Sequence, residues 1–267
     1  MESDAFAALK QRQREMWGSF APTAMFTTPV AAHLVGFAGV ASGETVLDIG
    51  TGTGVAAITA ANAGARVSAL DLTPALLQEA VQNSKVAGVD VAWTEGDAER
   101  LPYPDASFDV VLSQFGHMFA PRPDVVVAEI RRVLKPDGRV AFATWPPEEL
   151  IGQIFQFIGR NSPPPPPGAE PPPKWGVRSI ITERLAGNFG PPSFESGVMI
   201  WPALSLRHYR GFVESSVGPF QKLVESLADD PQRLAAIREE FEALAAPHYS
   251  DNVVHHTYLL TRAQRAS

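Results

Sequence analysis

Short apolar runs rich in β-branched residues alternate with helix-forming segments from Thr45 to Trp145. The runs predict strands over 45–49, 66–70, 89–95, 108–113 and 139–144. The helices of this region are predicted over 54–63, 74–86 and 123–134. Strands connected by helices pair in parallel, and right-handed crossovers place the helices on both faces of the sheet. The pattern therefore predicts a doubly wound α/β fold whose ligands bind at the carboxyl ends of the strands.

The segments outside this core predict three further parts. They are an N-terminal helical cap over 1–44, an insertion over 146–193, and the completion of the sheet over 194–267. Within them we predict helices over 5–20, 150–159, 205–216 and 231–246, and strands over 195–202 and 253–261. The proline-rich stretch 162–173 cannot form a central strand. The expected architecture is a Rossmann-like, mostly parallel sheet of seven strands around residues 45–145, with a helical and proline-rich lid between the fifth and sixth strands.

The first predicted strand ends in the glycine-rich turn 50–54. Its glycines let the backbone approach a ligand closely, and the helix that follows directs free N–H groups towards it. Gly52 opens a G-x-G-x-x-A pattern, and Asp71 ends the second strand, where a ribose-binding acid belongs in dinucleotide folds. The turn alone therefore fits both a nicotinamide-dependent oxidoreductase and an enzyme that uses another nucleoside cofactor.

Two further acidic residues favour the second alternative. Asp48 lies at the end of the first strand, and Asp97 follows the third strand at the same edge of the sheet. A pyrophosphate gains nothing from additional negative charge, and no Lys or Arg lies beside these three acids in the sequence. A positively charged group on the ligand would account for Asp48.

Four motifs in order give this region a resemblance to a known family. They are VLDIGTGTG (46–54), ALDLTP (69–74), GDAERLPYPDASFDVV (96–111) and RVLKPDG (132–138). The chain resembles a class I S-adenosylmethionine-dependent methyltransferase, of the group similar to the ubiquinone and menaquinone C-methyltransferases. It departs from the usual pattern at Thr51, where Cys or Ser is common, and at Asp137, where Gly is common.

The resemblance implies S-adenosylmethionine as cofactor and assigns residues to its methionine part. Asp48 would hold the ammonium group, directly or through water. The other residues expected near the methionine part are Gly50, Thr51, Gly52, Ser113 and Gln114. This cofactor carries a sulfonium, an ammonium and ribose hydroxyls but no phosphate, which agrees with an acidic site.

The resemblance also assigns the nucleoside part of the cofactor. Asp71 would accept hydrogen bonds from both ribose hydroxyls, and Leu72 would pack on the adenine. Asp97 would accept from the adenine amino group, with the Ala98 N–H facing a ring nitrogen. Trp17 resembles part of the N-terminal segment that closes over the cofactor in this group.

The only catalytic candidate we single out is a histidine. Methyl transfer from a sulfonium is an in-line displacement that mainly requires alignment and exclusion of water. A general base is needed only if the nucleophile arrives protonated. His117 follows the fourth strand and is expected on the rim of the pocket, where it would serve as that base or be an ordinary rim histidine.

The apolar residues of the insertion predict a small hydrophobic or aromatic methyl acceptor with a carbon, oxygen or nitrogen nucleophile. Two alternatives stay open, namely a nicotinamide-dependent oxidoreductase and a catalytically idle S-adenosylmethionine-binding protein. The net charge of −7, from 22 Lys and Arg against 29 Asp and Glu, argues against a nucleic-acid partner. The sequence leaves the oligomeric state open.

The composition bears on metal binding, membrane insertion and cellular location. The chain has no cysteine, and no carboxylate–histidine cluster indicates a metal site. No apolar run is long enough to span a membrane. The first residues include Glu2 and Asp4 and lack an apolar core typical of secretion signals, so we expect a cytoplasmic protein.

Overall fold

The computed structural model describes residues 4–266, with side chains from Phe6 onwards. Its strands are β1 (Thr45–Ile49), β2 (Arg66–Asp71), β3 (Val91–Glu95), β4 (Phe108–Gln114), β5 (Leu134–Thr144), β6 (Ser193–Pro202), β7 (Tyr249–Ser250) and β8 (Val253–Gln264). Its α-helices are α1 (Asp4–Met16), α2 (Ala24–Ala38), α3 (Val55–Asn62), α4 (Pro74–Ala87), α5 (Pro123–Val133), α6 (Leu150–Arg160), α7 (Arg178–Leu185), α8 (Leu206–Ser216), α9 (Gly218–Ser226) and α10 (Pro231–Ala245).

The strands form one mixed sheet in the order β3-β2-β1-β4-β5-β8-β6, and the short β7 pairs with β8. The first five strands pair in parallel, and β8 is antiparallel to both β5 and β6. The strand order reverses between β1 and β4, which is where ligands bind in doubly wound sheets. The predicted Rossmann-like fold is confirmed, with seven strands along the path of the sheet and β7 beside it.

The central strands follow from local sequence signals. β1 has the predicted bounds because Val46, Leu47 and Ile49 are fully buried, as expected of a strand covered on both faces. α4 begins with Pro74 after Thr73 and ends at Gly88, whose φ of 71° is the left-handed conformation of a helix C-cap. Both ends of this helix match the prediction.

Several element boundaries differ from the prediction, two of them by four residues or more. Residues 135–138, which lie between the predicted helix over 123–134 and the predicted strand over 139–144, are part of β5, because Leu134 already pairs with Phe108 and the register then shifts between Phe108 and Val110. The helix predicted over 5–20 ends at Met16 and continues as two short 3₁₀ turns over 17–19 and 21–23. Gly18 and Pro22 lie in these turns and disfavour a continuous α-helix.

The insertion between β5 and β6 contains α6, a 3₁₀ segment over Pro172–Gly176, and α7. Its proline-rich stretch forms no strand, as predicted, and leads into Trp175, which is buried. Within residues 4–266, no helix combines the length and the apolar character needed to cross a membrane.

Candidate active site

A cavity opens at the carboxyl ends of β1, β2 and β4, where the strand order reverses. Most of the residues predicted to bind the cofactor line it. They are Trp17, Gly50, Thr51, Gly52, Asp71, Leu72, Asp97, Ala98 and Gln114. The fold therefore brings together side chains and backbone from the N-terminal segment and from four strand ends. Asp48 and Ser113 lie behind the cavity wall.

Asp71 holds the glycine-rich turn against the end of β2. Its carboxylate accepts hydrogen bonds from the Gly52 N–H at 2.7 Å and from the Thr73 N–H at 2.8 Å. Burial raises the pKa of the Asp71 carboxyl above its usual value. Since a carboxylate can accept about four hydrogen bonds, Asp71 keeps acceptor capacity for a ligand in the cavity that it lines.

Asp48 is fully buried beneath the turn rather than exposed in the cavity. Its Oδ2 atom accepts from the Thr51 hydroxyl at 2.6 Å and from the Ala57 N–H at 3.1 Å, whereas Oδ1 has no hydrogen-bond partner. Burial raises the pKa of this carboxyl to about 7. Thr51 lines the cavity, and its hydroxyl donates to Asp48 as a serine hydroxyl would, whereas a cysteine thiol is a weaker donor.

Ser113 and Gln114 are the last two residues of β4 and make different contacts. The Ser113 hydroxyl donates to the Ile49 carbonyl at 2.6 Å and accepts from the His117 N–H at 3.0 Å, so it joins β1 to the loop after β4. Gln114 lines the cavity and donates from Nε2 to the Thr27 carbonyl at 2.9 Å. Its Oε1 atom is buried and has no hydrogen-bond partner.

Asp97 is paired with a lysine from the N-terminal helix. Its Oδ2 atom accepts from Lys10 Nζ at 2.6 Å, and Lys10 also donates to Glu99 at 2.6 Å. Lys10 is 8% exposed and lines the cavity. This corrects the expectation of a site without a neighbouring basic residue. Arg122 also pairs with Glu99, so this cluster holds two cations against two carboxylates, and Asp71 is the further carboxylate at this end of the cavity.

The other end of the cavity is aromatic. Its lining there includes Phe115, Phe119, Trp145, Ile151, Phe155, Met199, Trp201 and Val217. The Phe115 and Trp145 rings are stacked, with centroids 3.8 Å apart and planes inclined by 10°. The ionisable side chains that line the cavity in the described chain are Lys10, Asp71 and Asp97. Asp71 ends β2 and Asp97 follows β3, on the side of the sheet away from β5 and β6, and Lys10 pairs with Asp97. The two ends of one cavity therefore have different chemistry.

His117 is buried beneath the cavity and does not line it, which corrects its expected position on the rim. Its ring lies 4.6 Å from the Phe142 ring and 4.6 Å from the Trp175 ring, measured between centroids. Neither ring nitrogen has a hydrogen-bond partner, and burial lowers its pKa to about 3. A neutral imidazole without contact to the cavity is poorly placed to accept a proton from a ligand.

Sequence reasoning missed the aromatic contribution of β6. Met199 and Trp201 line the cavity, and they alternate along β6 with the exposed Val198 and Ile200. All four side chains are apolar, so the sequence predicts a strand here but does not show which of its faces is buried. From the insertion, Phe155 lines the cavity, whereas Phe157 and Trp175 belong to the core.

Known proteins share this fold and its motifs. The model of a family described as a methyltransferase domain matches residues 47–142. An uncharacterized protein of Mycobacterium tuberculosis strain H37Rv is 32% identical over 256 residues, covering 94% of this chain and 93% of that protein. Demethylmenaquinone methyltransferase of Deinococcus radiodurans is 39% identical over 115 residues, covering 42% of this chain and 48% of that enzyme. A structure described as a methyltransferase from Bacillus halodurans C-125 aligns with a TM-score of 0.63 at 20% identity, covering 89% of this chain and 99% of that chain.

Proposed function

This chain belongs to the methyltransferase-domain family, and we propose that it transfers a methyl group from S-adenosylmethionine to a small hydrophobic or aromatic molecule. Its cofactor is S-adenosylmethionine, and the chain is an S-adenosylmethionine-dependent enzyme. The observation that carries the proposal is the division of one cavity into an acidic, backbone-rich end and an aromatic end.

The acidic end suits the nucleoside and methionine parts of S-adenosylmethionine. Asp71 would accept from the ribose hydroxyls, and Asp97 would accept from the adenine amino group. Gly50, Thr51 and Gly52 would offer backbone to the methionine part, with the Asp48 carboxylate behind Thr51 adding negative potential near the ammonium. Each charge-assisted hydrogen bond contributes about 1.5–3 kcal/mol.

The same end is poorly suited to a dinucleotide. A pyrophosphate would bring two negative charges to a turn that is held by Asp71 and underlain by Asp48. The Lys10 ammonium already pairs with Asp97 and Glu99, so it would have to leave these carboxylates to neutralise a pyrophosphate. These contacts favour the methyltransferase over a nicotinamide-dependent oxidoreductase.

The aromatic end supports an apolar, planar acceptor. The stacked Phe115 and Trp145 rings provide a flat wall, and pairs of aromatic rings prefer stacked or edge-to-face contact. The partial similarity to demethylmenaquinone methyltransferases supports an electron-rich ring carbon or a phenol oxygen as the nucleophile.

S-adenosylmethionine supplies an electrophilic methyl group next to the aromatic end when it is bound. The residues of the chain then align the acceptor and exclude water, which are the main requirements of an in-line displacement. No ionisable side chain of the described residues lines the aromatic end. We therefore expect the acceptor to react as a nucleophile that is already ionised or intrinsically electron-rich, and to lose its proton to solvent.

Isothermal titration of the purified chain with S-adenosylmethionine, S-adenosylhomocysteine and NADH tests the cofactor. The proposal expects binding of the first two and none of NADH, and the reverse pattern would support the oxidoreductase.

Transfer of a radiolabelled methyl group to 1,4-naphthohydroquinone, 2-naphthol and phosphoethanolamine then tests the acceptor class. Labelling of only the aromatic compounds supports the proposal. Labelling of only phosphoethanolamine overturns the acceptor class, and tight cofactor binding without transfer to any compound favours an idle binding protein.

A further inference from the structure

One face of α1 carries the contacts that join this helix to the cavity. Gln13 and Arg14 follow Lys10 by three and four residues, so these side chains share one face of α1, and Trp17 continues that face into the 3₁₀ turn after the helix. Lys10, Gln13 and Trp17 line the cavity. The side of α1 that faces the candidate active site is therefore largely polar, whereas amphipathic helices usually turn apolar residues inward.

Three of these residues make contacts of modest strength. Gln13 donates from Nε2 to the Phe119 carbonyl at 2.9 Å, and the Trp17 ring lies 4.7 Å from the Phe119 ring between centroids. Arg14 pairs with Glu95 at 2.5 Å, with both side chains more than a third exposed. Such exposed ion pairs contribute little to stability because water screens them.

Lys10 differs because its ammonium is buried. It lies 2.6 Å from Asp97 Oδ2 and 2.6 Å from Glu99 Oε2, and the Glu99 side chain is 1% exposed. A buried charge is tolerated only when it is paired, so removal of either side of this cluster is unfavourable. Lys10 thus determines both where α1 lies and which orientation the Asp97 carboxylate adopts.

The second oxygen of Asp97 is held as well. Oδ1 accepts from the Glu99 N–H at 2.9 Å, so both oxygens have fixed donors. A carboxylate fixed in this way loses little conformational freedom when it accepts one more hydrogen bond. Asp97 lines the cavity next to Ala98, so the additional donor is a ligand group at that end.

We propose that Lys10 is a positioning residue that orients Asp97 for the exocyclic amino group of the cofactor's purine, so that the chain distinguishes an adenine from a hypoxanthine nucleoside through its N-terminal helix. The inference rests on the proposed function, because it requires an S-adenosyl compound in the cavity. Coupling of this kind is reciprocal, so a bound purine that engages Asp97 also stabilises the position of α1.

The test compares S-adenosylhomocysteine with S-inosylhomocysteine, which has a carbonyl oxygen in place of the amino group. Dissociation constants from isothermal titration give a preference ratio for each variant. We expect the wild-type chain to prefer S-adenosylhomocysteine at least tenfold, and Lys10→Met to reduce this preference to threefold or less. A merely structural role for Lys10 would weaken both ligands equally and leave the ratio unchanged, which would overturn the inference.

Lys10→Met is expected to fold, because Glu99 keeps its hydrogen bonds from the Arg122 side chain and N–H. Thermal unfolding checks this, and Lys10→Gln replaces Lys10→Met if the latter is unfolded, since a glutamine amide is too short to join both carboxylates. Lys85→Met removes an exposed lysine of α4 and should leave the ratio at its wild-type value. A wild-type chain that binds neither homocysteine derivative would instead contradict the proposed function.

Discussion

A methyl group placed on Gly50 would lie 2.7 Å from the Cα atom of Gly116, and one placed on Gly116 would lie closer still to the Gly50 carbonyl oxygen. The glycine-rich turn after β1 and the loop after β4 therefore pack backbone against backbone. Both glycines line the cavity, and their contact leaves no room for a side chain at either of these two positions.

Gly116→Ala should weaken both the fold and cofactor binding. The new Cβ must push the two loops apart, and overpacking of this kind costs about 1–3 kcal/mol. The φ of Gly116 is −81°, so the effect is steric rather than conformational. Urea unfolding and titration with S-adenosylhomocysteine measure the two losses.

Gly36→Ala is the matched control for this prediction. Gly36 lies in α2 with nothing within 4 Å of the added Cβ, so alanine should stabilise the helix by about 0.5–1 kcal/mol. Equal effects of the two substitutions would show that the contact between Gly50 and Gly116 is unimportant.

Asp48→Asn should flatten the dependence of stability on pH. Burial raises the pKa of Asp48 from about 4 to about 7, so its contribution to the free energy of unfolding is fully present below pH 4 and is lost as the pH rises to 7. The loss is on the order of a few kcal/mol. Urea unfolding at pH 4.5 and pH 7.5 should show a smaller difference for the variant than for the wild type, and identical differences would contradict the role of Asp48.

His117→Leu should retain turnover and affinity for the cofactor, because the imidazole does not line the cavity. The pKa of His117 is lowered to about 3, so the stability it contributes is present above pH 6.5 and is lost as the pH falls towards 3. Removing the imidazole should therefore make the protein less sensitive to acid. A tenfold fall in turnover with unchanged cofactor affinity would restore the general-base hypothesis for His117.

Trp145→Leu should affect the acceptor and spare the cofactor. Trp145 forms the wall of the aromatic end together with Phe115, and loss of one aromatic contact to the acceptor, worth about 0.5–1.5 kcal/mol, corresponds to roughly a twofold to tenfold rise in the KM for 1,4-naphthohydroquinone. The dissociation constant of S-adenosylhomocysteine should change less than twofold. Val86→Ala, on the exposed surface of α4, controls for general effects of truncating an apolar side chain.

The helices and strands that are determined by residues close together in the sequence could be predicted from it. β1 and α4 have strong local signals, namely a buried β-branched run and a helix bounded by Pro74 and Gly88. α2 has no such signal, because it is apolar on all sides and contains Pro29 within the helix. Periodicity cannot identify a helix whose exposed face also carries apolar residues, such as Met25 and Ala32.

The cavity residues that directly follow a strand could be predicted from the sequence. Several of those that reach the cavity from a distant segment of the chain were missed. Asp71 and Asp97 follow directly from their positions after β2 and β3. Lys10 could not be placed, since its partner Asp97 lies 87 residues away in the chain. The position of His117 depends on Phe115, whose φ of 64° turns the chain at the end of β4. A left-handed conformation at a residue other than glycine has no sequence signal.

The position of β8 between β5 and β6 has a consequence for the order in which the molecule is completed. β6 joins the sheet through β8, which follows β6 in the chain. During synthesis the five parallel strands can therefore pair before Met199 and Trp201 have a sheet to join. Pairing of β8 then brings these two side chains to the cavity, so the aromatic wall is completed after the glycine-rich turn and its neighbouring strand ends.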